Sequence, residues 1–275
     1  MIQLSSRVKS ALAVAAGCLA LFAVAAEAQR PYSTQGARTS RTYEAGKFDY
    51  YVLSLSWSPS FCSGAAGQSR ANESQCAPRN GKRFSFVLHG LWPQFERGWP
   101  QDCQSPDGGF VPRETANRIL DIMPSDKLVF HEYRKHGTCS GLGVDGYFDL
   151  SRQLYNKVQV PARYANATDP RMTVNRDELL TDFMAANPGL GPDMLAVKCG
   201  GNGNQLEEVR VCFDKAGQFR ACGKNENQAK LCAPGARIYV PPVRAAEGKG
   251  WKGWFSAPSK PSGDPAFKPS GQRTL

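Results

Sequence analysis

The chain holds three histidines, His89, His131 and His136, and all of them fall in two short segments, FVLHGLWPQ (86–94) and FHEYRKHGTC (130–139). Imidazole titrates nearest neutrality of any side chain, so one ring can take a proton and another give one within a single cycle. If Phe130–His136 is helical, then at roughly 100° per residue His131, Lys135, Glu132 and His136 share an arc of about 140°, and Tyr133 and Arg134 lie off it. Two imidazoles, a carboxylate and an ammonium are costly in a dry core, because each needs a partner. The same groups suit a phosphodiester. The imidazoles shuttle protons, Lys135 and a protonated imidazole neutralise non-bridging oxygens, and Glu132 orients a donor or keeps a histidine charged.

Each residue taken alone has a plainer reading. A histidine in an apolar strand, as His89 would be, is more often a satisfied core residue. Glu132 with Lys135 or His136 is more often a surface pair on a helix, worth a few tenths of a kcal/mol. Trp92 and Tyr133 read as packing. None of these readings explains why every histidine sits in one of two such segments. A zinc hydrolase is the competing enzyme reading, with His131 and His136 as ligands and Glu132 activating water. Its histidines would be five apart, about 140° around a helix, where the usual motif places them four apart and about 40° apart. A non-catalytic RNA-binding protein on the same scaffold is the competing reading of a different class.

Strands and helices must bring the two segments together. Lys47–Trp57 (KFDYYVLSLSW) is apolar on both faces, as a central strand is. Phe84–Leu91 reads as a second buried strand, interrupted by His89. Helices are expected over Pro112–Met123, with Pro124 after it, over Asp145–Val158 with Asp145 as cap, and over Asn175–Asn187 with Asn175 as cap and Glu178 three residues on. Gln205–Phe213 alternates as a strand does, Asp214–Gly217 turns, Gln218–Cys222 returns, and Ala236–Val240 is a last short strand. The mixture without strict alternation points to an α+β fold with a mainly antiparallel central sheet flanked by helices.

The ends read differently from the middle. Residues 1–28 have the form of a signal peptide: Arg7 and Lys9, an apolar run over Ala11–Ala26, and Ala26-Glu27-Ala28 before a cut at Gln29. No second apolar stretch of about 18 residues follows, so no membrane span is expected. Residues 29–45 are a polar leader, 46–242 the catalytic domain, and 243–275 a tail rich in Pro, Gly and Lys, expected to be disordered. The formal charge is +10, or about +9 without the signal, which favours polyanions. Of nine cysteines, Cys18 lies in the signal. The remaining eight, an even number in an exported chain, read as four disulfides whose connectivity counting leaves open. Secretion or a periplasmic location follows.

The two histidine segments resemble the active-site segments of the ribonuclease T2 family, with Tyr133 where that family usually has Trp. FDYYVLSLSWSPSFC (48–62) resembles its opening strand, and the likeness covers roughly residues 47–240. It implies an endoribonuclease acting on single-stranded RNA through a 2′,3′-cyclic phosphate. In that scheme His136 is the general base, His89 the general acid and His131 a phosphate ligand, while Glu132 and Lys135 stabilise the transition state. Trp92 and Gln94 would bind a base. Gln94 stands where some fungal members have an acidic residue, so base preference does not transfer. The implied disulfides are Cys62–Cys76, Cys103–Cys139, Cys199–Cys232 and Cys212–Cys222. No metal, cofactor or obligate protein partner is implied, and a monomer is expected.

Overall fold

The run of branched and aromatic side chains at Tyr50–Trp57 forms the middle of a sheet. The structure is a computed structural model that describes residues 42–64, 74–77, 82–201 and 204–243. The expected signal peptide, most of the leader and nearly all of the tail lie outside the described residues. In chain order the strands are β1 (Tyr50–Trp57), β2 (Phe86–Gln94), β3 (Thr173–Asn175), β4 (Leu195–Gly200), β5 (Gln205–Phe213) and β6 (Arg237–Tyr239). The α-helices are α1 (Ser58–Ser63), α2 (Arg113–Ile119), α3 (Asp126–Lys135), α4 (Gly143–Lys157), α5 (Ala162–Ala165), α6 (Arg176–Ala186) and α7 (Gln228–Leu231).

The strands form one sheet in the order β2-β1-β5-β6-β3, with β4 also pairing to β5. All pairings are antiparallel except the short parallel contact of β5 with β6 at Gln205 and Tyr239. The expected α+β fold with a mainly antiparallel sheet is what forms. β1 is paired on both edges, by β2 and β5, and its two faces are buried in two separate apolar clusters. Tyr51, Leu53, Leu55 and Trp57 meet the main core, which includes Tyr133, Tyr147 and Phe148 from the helices. The opposite face carries Tyr50, Val52 and two small side chains, Ser54 and Ser56.

One irregularity governs the site. On β2, Gly90 pairs with Ser54 and Leu88 pairs with Leu55, so His89 is the extra residue of a β-bulge. A bulge leaves one residue out of the pairing and re-aims its side chain. It also lets Leu88 and Leu91, three apart, both reach the core, which strict alternation forbids. Four disulfides join Cys62–Cys76, Cys103–Cys139, Cys199–Cys232 and Cys212–Cys222, each a contribution of about 2–4 kcal/mol.

Several boundaries differ from expectation. α2 stops at Ile119 and the chain turns through 120–123 before Pro124. α4 starts at Gly143, so Asp145 lies in the first turn instead of capping it; there it accepts from Thr115 Oγ1 (2.8 Å) and pairs with Arg118 (2.5 Å). β2 runs on through Pro93 to Gln94, which an edge strand tolerates because one side needs no N–H donor. Residues 218–222 return only through an isolated bridge between Phe213 and Phe219. β4 was not expected. α6 is capped as expected, with Asn175 Oδ1 accepting from the Glu178 N–H at 2.7 Å.

Candidate active site

Helix α3 supplies half of the site, and its ends explain the geometry. It begins at Asp126 with the Ser125 side chain accepting from the Leu128 N–H. It ends at Lys135, and His136 is the C-cap, its N–H still bonded to the Glu132 carbonyl at 2.9 Å. The chain then tightens into a 3₁₀ turn over Gly137–Ser140. Gly137 is required there, since a Cβ at this position would lie 2.4 Å from a ring carbon of Tyr133, which is fully buried. The turn is tied down by the Cys103–Cys139 disulfide and by the Asp102 N–H donating to the Lys135 carbonyl at 2.9 Å. His136 is therefore placed by a cap, a disulfide and a packed tyrosine.

Trp92 on β2 joins the two histidine segments. Its indole N–H donates to Glu132 Oε2 at 2.7 Å. Its ring lies 5.2 Å from the His89 ring, edge to face, and 5.5 Å from the His136 ring. His89 and His136 thus flank one indole. His89 Nε2 is 3.7 Å from Glu132 Oε1, while its Nδ1–H donates to Glu208 Oε1 at 3.0 Å. Glu208 in turn accepts at Oε2 from Arg210 Nε (3.0 Å) and Nη2 (2.8 Å), and the Arg210 guanidinium lies 5.0 Å from the centre of the Trp92 ring. Gly90 makes room for this packing: a Cβ there would stand 2.3 Å from Glu132 Oε2 and 2.5 Å from Trp92 Nε1.

That clash gives a direct test of the packing. Gly90→Ala is expected to destabilise the protein by about 1–3 kcal/mol, the usual cost of overpacking, because the added methyl must displace the Glu132 carboxylate and the indole hydrogen-bonded to it. A thermal melt matching the wild type would show instead that the pair moves aside freely.

The environments of the ionisable groups diverge. Burial drives the His136 imidazole down to about 3, reinforced by the nearby Lys135, His89 and His131. Its Nδ1 is buried and has no hydrogen-bond partner among the described residues. Burial also pushes His89 down, but the Glu208 hydrogen bond and the charges of Glu132 and Glu208 outweigh it and leave the ring more basic than usual. Glu132 is raised by its burial, against the opposing pull of His89, Trp92, His131 and Lys135. Glu208 is lowered to about 2, since His89, Arg210 and Lys198 outweigh its desolvation.

The sequence-derived residues separate into two groups. His89, Trp92, Glu132 and His136 are in mutual contact or joined through Trp92. His131 is exposed and Lys135 half-buried, and no side-chain hydrogen bond or ion pair holds either among the described residues; both act on Glu132 and His136 through charge. The expected single polar face of the helix is thus divided, with Glu132 and His136 almost fully buried. Gln94 differs from expectation: it is buried, and its Oε1 accepts from Asn225 Nδ2 at 2.9 Å in a network that also holds the Phe95 and Gly98 carbonyls. Glu208 and Arg210 were missed, because a glutamate and an arginine alternating along QLEEVRVCF look like the solvent side of a strand. No cluster of three His, Cys, Asp or Glu side chains suited to a metal occurs among the described residues.

Several known proteins resemble this chain. A "Ribonuclease" of Aeromonas hydrophila is 39% identical over 125 residues, covering 44% of this chain and 51% of that protein. A "Probable ribonuclease" of Haemophilus influenzae is 31% identical over 182 residues, covering 63% and 61%. The chain therefore spans only about half to three fifths of these relatives. Among solved structures, the RNase-related protein from Calystegia sepium superposes with a TM-score of 0.55 at 21% identity, covering 72% of this chain and 98% of the other. The Nicotiana alata self-incompatibility associated SF11-RNase does so with 0.52 at 20% identity, covering 72% and 100%. These two likenesses establish the fold alone. The profile of the Ribonuclease T2 family matches residues 48–222, more than half of the chain and both histidine segments, and the chain belongs to that family.

Proposed function

We propose that residues 46–242 form a metal-independent endoribonuclease that cleaves single-stranded RNA by transesterification. The observation that carries this reading is the placement of His89 and His136 on one indole, in surroundings that make one ring basic and the other not. A pair of groups whose environments push their pKa values apart is suited to opposite roles. Near neutrality His136 is unprotonated and takes the proton of the ribose 2′-hydroxyl. The 2′-oxygen attacks phosphorus, the bond to the 5′-oxygen breaks, and His89 gives its proton to that leaving oxygen. The product is a 2′,3′-cyclic phosphate. Water then opens it, with the two imidazoles exchanging roles, to leave a 3′-phosphate.

The remaining residues serve charge and position. His131 and Lys135, exposed and half-buried and without a side-chain partner among the described residues, would meet the non-bridging oxygens. Glu132 braces Trp92 and faces the acid nitrogen of His89, and the edge of Trp92 offers a surface for a base. The nucleophile belongs to the substrate, so the protein's part is proton transfer and charge stabilisation. The four disulfides suit an oxidising compartment, in keeping with a signal peptide over residues 1–28 and a secreted or periplasmic enzyme. A monomer acting on RNA is the state we propose.

The decisive digest compares wild type and His136→Ala on RNA with EDTA present, followed by analysis of the new ends. The expected result is EDTA-insensitive cutting by the wild type, with cyclic and then 3′-phosphate ends, and almost none by the variant. Activity silenced by EDTA would favour a zinc site at His131, Glu132 and His136. Protein that binds RNA yet leaves it whole between about pH 4 and 8 would favour a binding module.

A further inference from the structure

Glu208 lies outside both histidine segments, yet it makes the most direct contact with His89. Its side chain is 8% exposed. One oxygen faces His89 Nδ1 at 3.0 Å and the other is gripped twice by Arg210. A carboxylate can only accept, so the nitrogen it faces must carry a proton. Arg210 cannot deprotonate and keeps the carboxylate ionised. With Nδ1 occupied, Nε2 is the nitrogen left free for chemistry.

We infer that Glu208, clamped by Arg210, is a positioning residue that fixes the orientation and tautomer of the His89 ring, so that Nε2 is presented to the leaving oxygen. The inference rests on the acid role proposed for His89. The sheet explains how a residue of β5 reaches one of β2 across the intervening strand. Gly90, Ser54 and Arg210 stand in one row, and Ser56 stands beside Glu208. The two serines are small enough for side chains from the outer strands to meet over β1, and the bulge turns His89 toward them. Arg210 also packs on Trp92, so the clamp and the indole that joins the two histidines are one assembly.

The charged groups around His89 make the expected shifts opposite in sign for two neighbours. Glu132 on α3 and Glu208 on β5 favour its charged form, whereas Arg210 on β5 opposes it. His136 responds to its charge, His131 and Lys135 act on Glu132, and Lys198 on β4 steadies Glu208. Removing Glu208's charge therefore lowers the His89 pKa, and removing Arg210's charge raises it.

The test is an NMR titration of the three imidazoles in wild type, Glu208→Gln and Arg210→Gln, beside the pH profile of kcat/KM. In Glu208→Gln the His89 pKa is expected to fall by about one unit, the usual scale for losing an adjacent opposite charge. The ring nitrogens should lose their preference for Nδ1–H, and the alkaline limb of kcat/KM should fall by the same amount. In Arg210→Gln both should move upward. Opposed shifts do not arise from general loosening of the fold. If Glu208→Gln fails to fold, the upward shift in Arg210→Gln and the Nδ1–H signal of the wild type decide. A His89 titration unmoved in a folded Glu208→Gln, or a neutral wild-type ring protonated at Nε2, overturns the inference while leaving the acid role intact. An alkaline limb that survives in His89→Ala overturns the acid role itself.

Discussion

A single 2′-deoxyribose placed in an otherwise all-ribose strand is expected to abolish cutting at the bond that follows it, leaving neighbouring bonds as labile as before. The reason is that the proposed mechanism draws its nucleophile from the ribose and asks the side chains only to move protons and stabilise charge. Every cysteine among the described residues is in a disulfide, which leaves no free thiol there. On that proposal the attacking oxygen comes with the substrate. Held beside its own phosphorus, it has the advantage of an intramolecular reaction, an effective concentration on the order of 10⁵ M or more in well-aligned cases. Deleting it leaves only water, which is neither as close nor as well aligned. Gel mapping of an end-labelled oligonucleotide reads the result bond by bond. Continued cutting at the substituted bond would end the transesterification account, whatever the other bonds do.

How much of this was legible in the sequence follows from how local each feature is. β1 and β5 were readable because apolar density and alternation are properties of a few consecutive residues. α6 was readable from its Asn175 cap. The two histidine segments stood out by residue type alone. What was not readable is whatever depends on partners distant in sequence. The bulge at His89 is defined by Ser54 and Leu55 on another strand, and nothing in FVLHGLW says that the histidine is the residue left over. Helical spacing places His131, Glu132, Lys135 and His136 on one arc. It could not tell that Glu132 is sealed under Trp92 while His131 stays in solvent, because the covering residues come from β2. The resemblance implies a base site at Gln94, but Asn225, more than a hundred residues later, draws it inward. Glu208 was hidden for the same reason: its neighbours on β5 do not reveal which histidine it faces. Length mattered too. α1, α5 and α7 have six, four and four residues, too few for a helical period to show.

Replacing either proton carrier is expected to remove most of the activity, and the manner of loss identifies which is which. His136→Ala and His89→Ala should each lower kcat by about 10²–10⁴-fold, the range that acid–base groups supply. The double variant should be little worse than either single one if the two act in one relay, as proposed. The pH profiles separate the roles. In the wild type, kcat/KM reports the free enzyme. It should fall at the acid end as His136 gains a proton, near 3, and at the alkaline end as His89 loses one, above the ordinary imidazole value. Between these limbs lies a broad working range, acid to neutral. The bound phosphodiester adds negative charge beside both rings and favours their protonated forms, so the kcat profile should lie to higher pH than that of kcat/KM. His136→Ala should lose the acid limb and keep the alkaline one; His89→Ala should do the reverse. The assignment is sensitive to sign, since exchanging the roles would require the buried, weakly basic ring to carry the proton at neutrality while the ring held by two carboxylates gave it up. A His136→Ala profile that retains the acid limb, or wild-type turnover in either variant, would show that the proton traffic does not run through this pair.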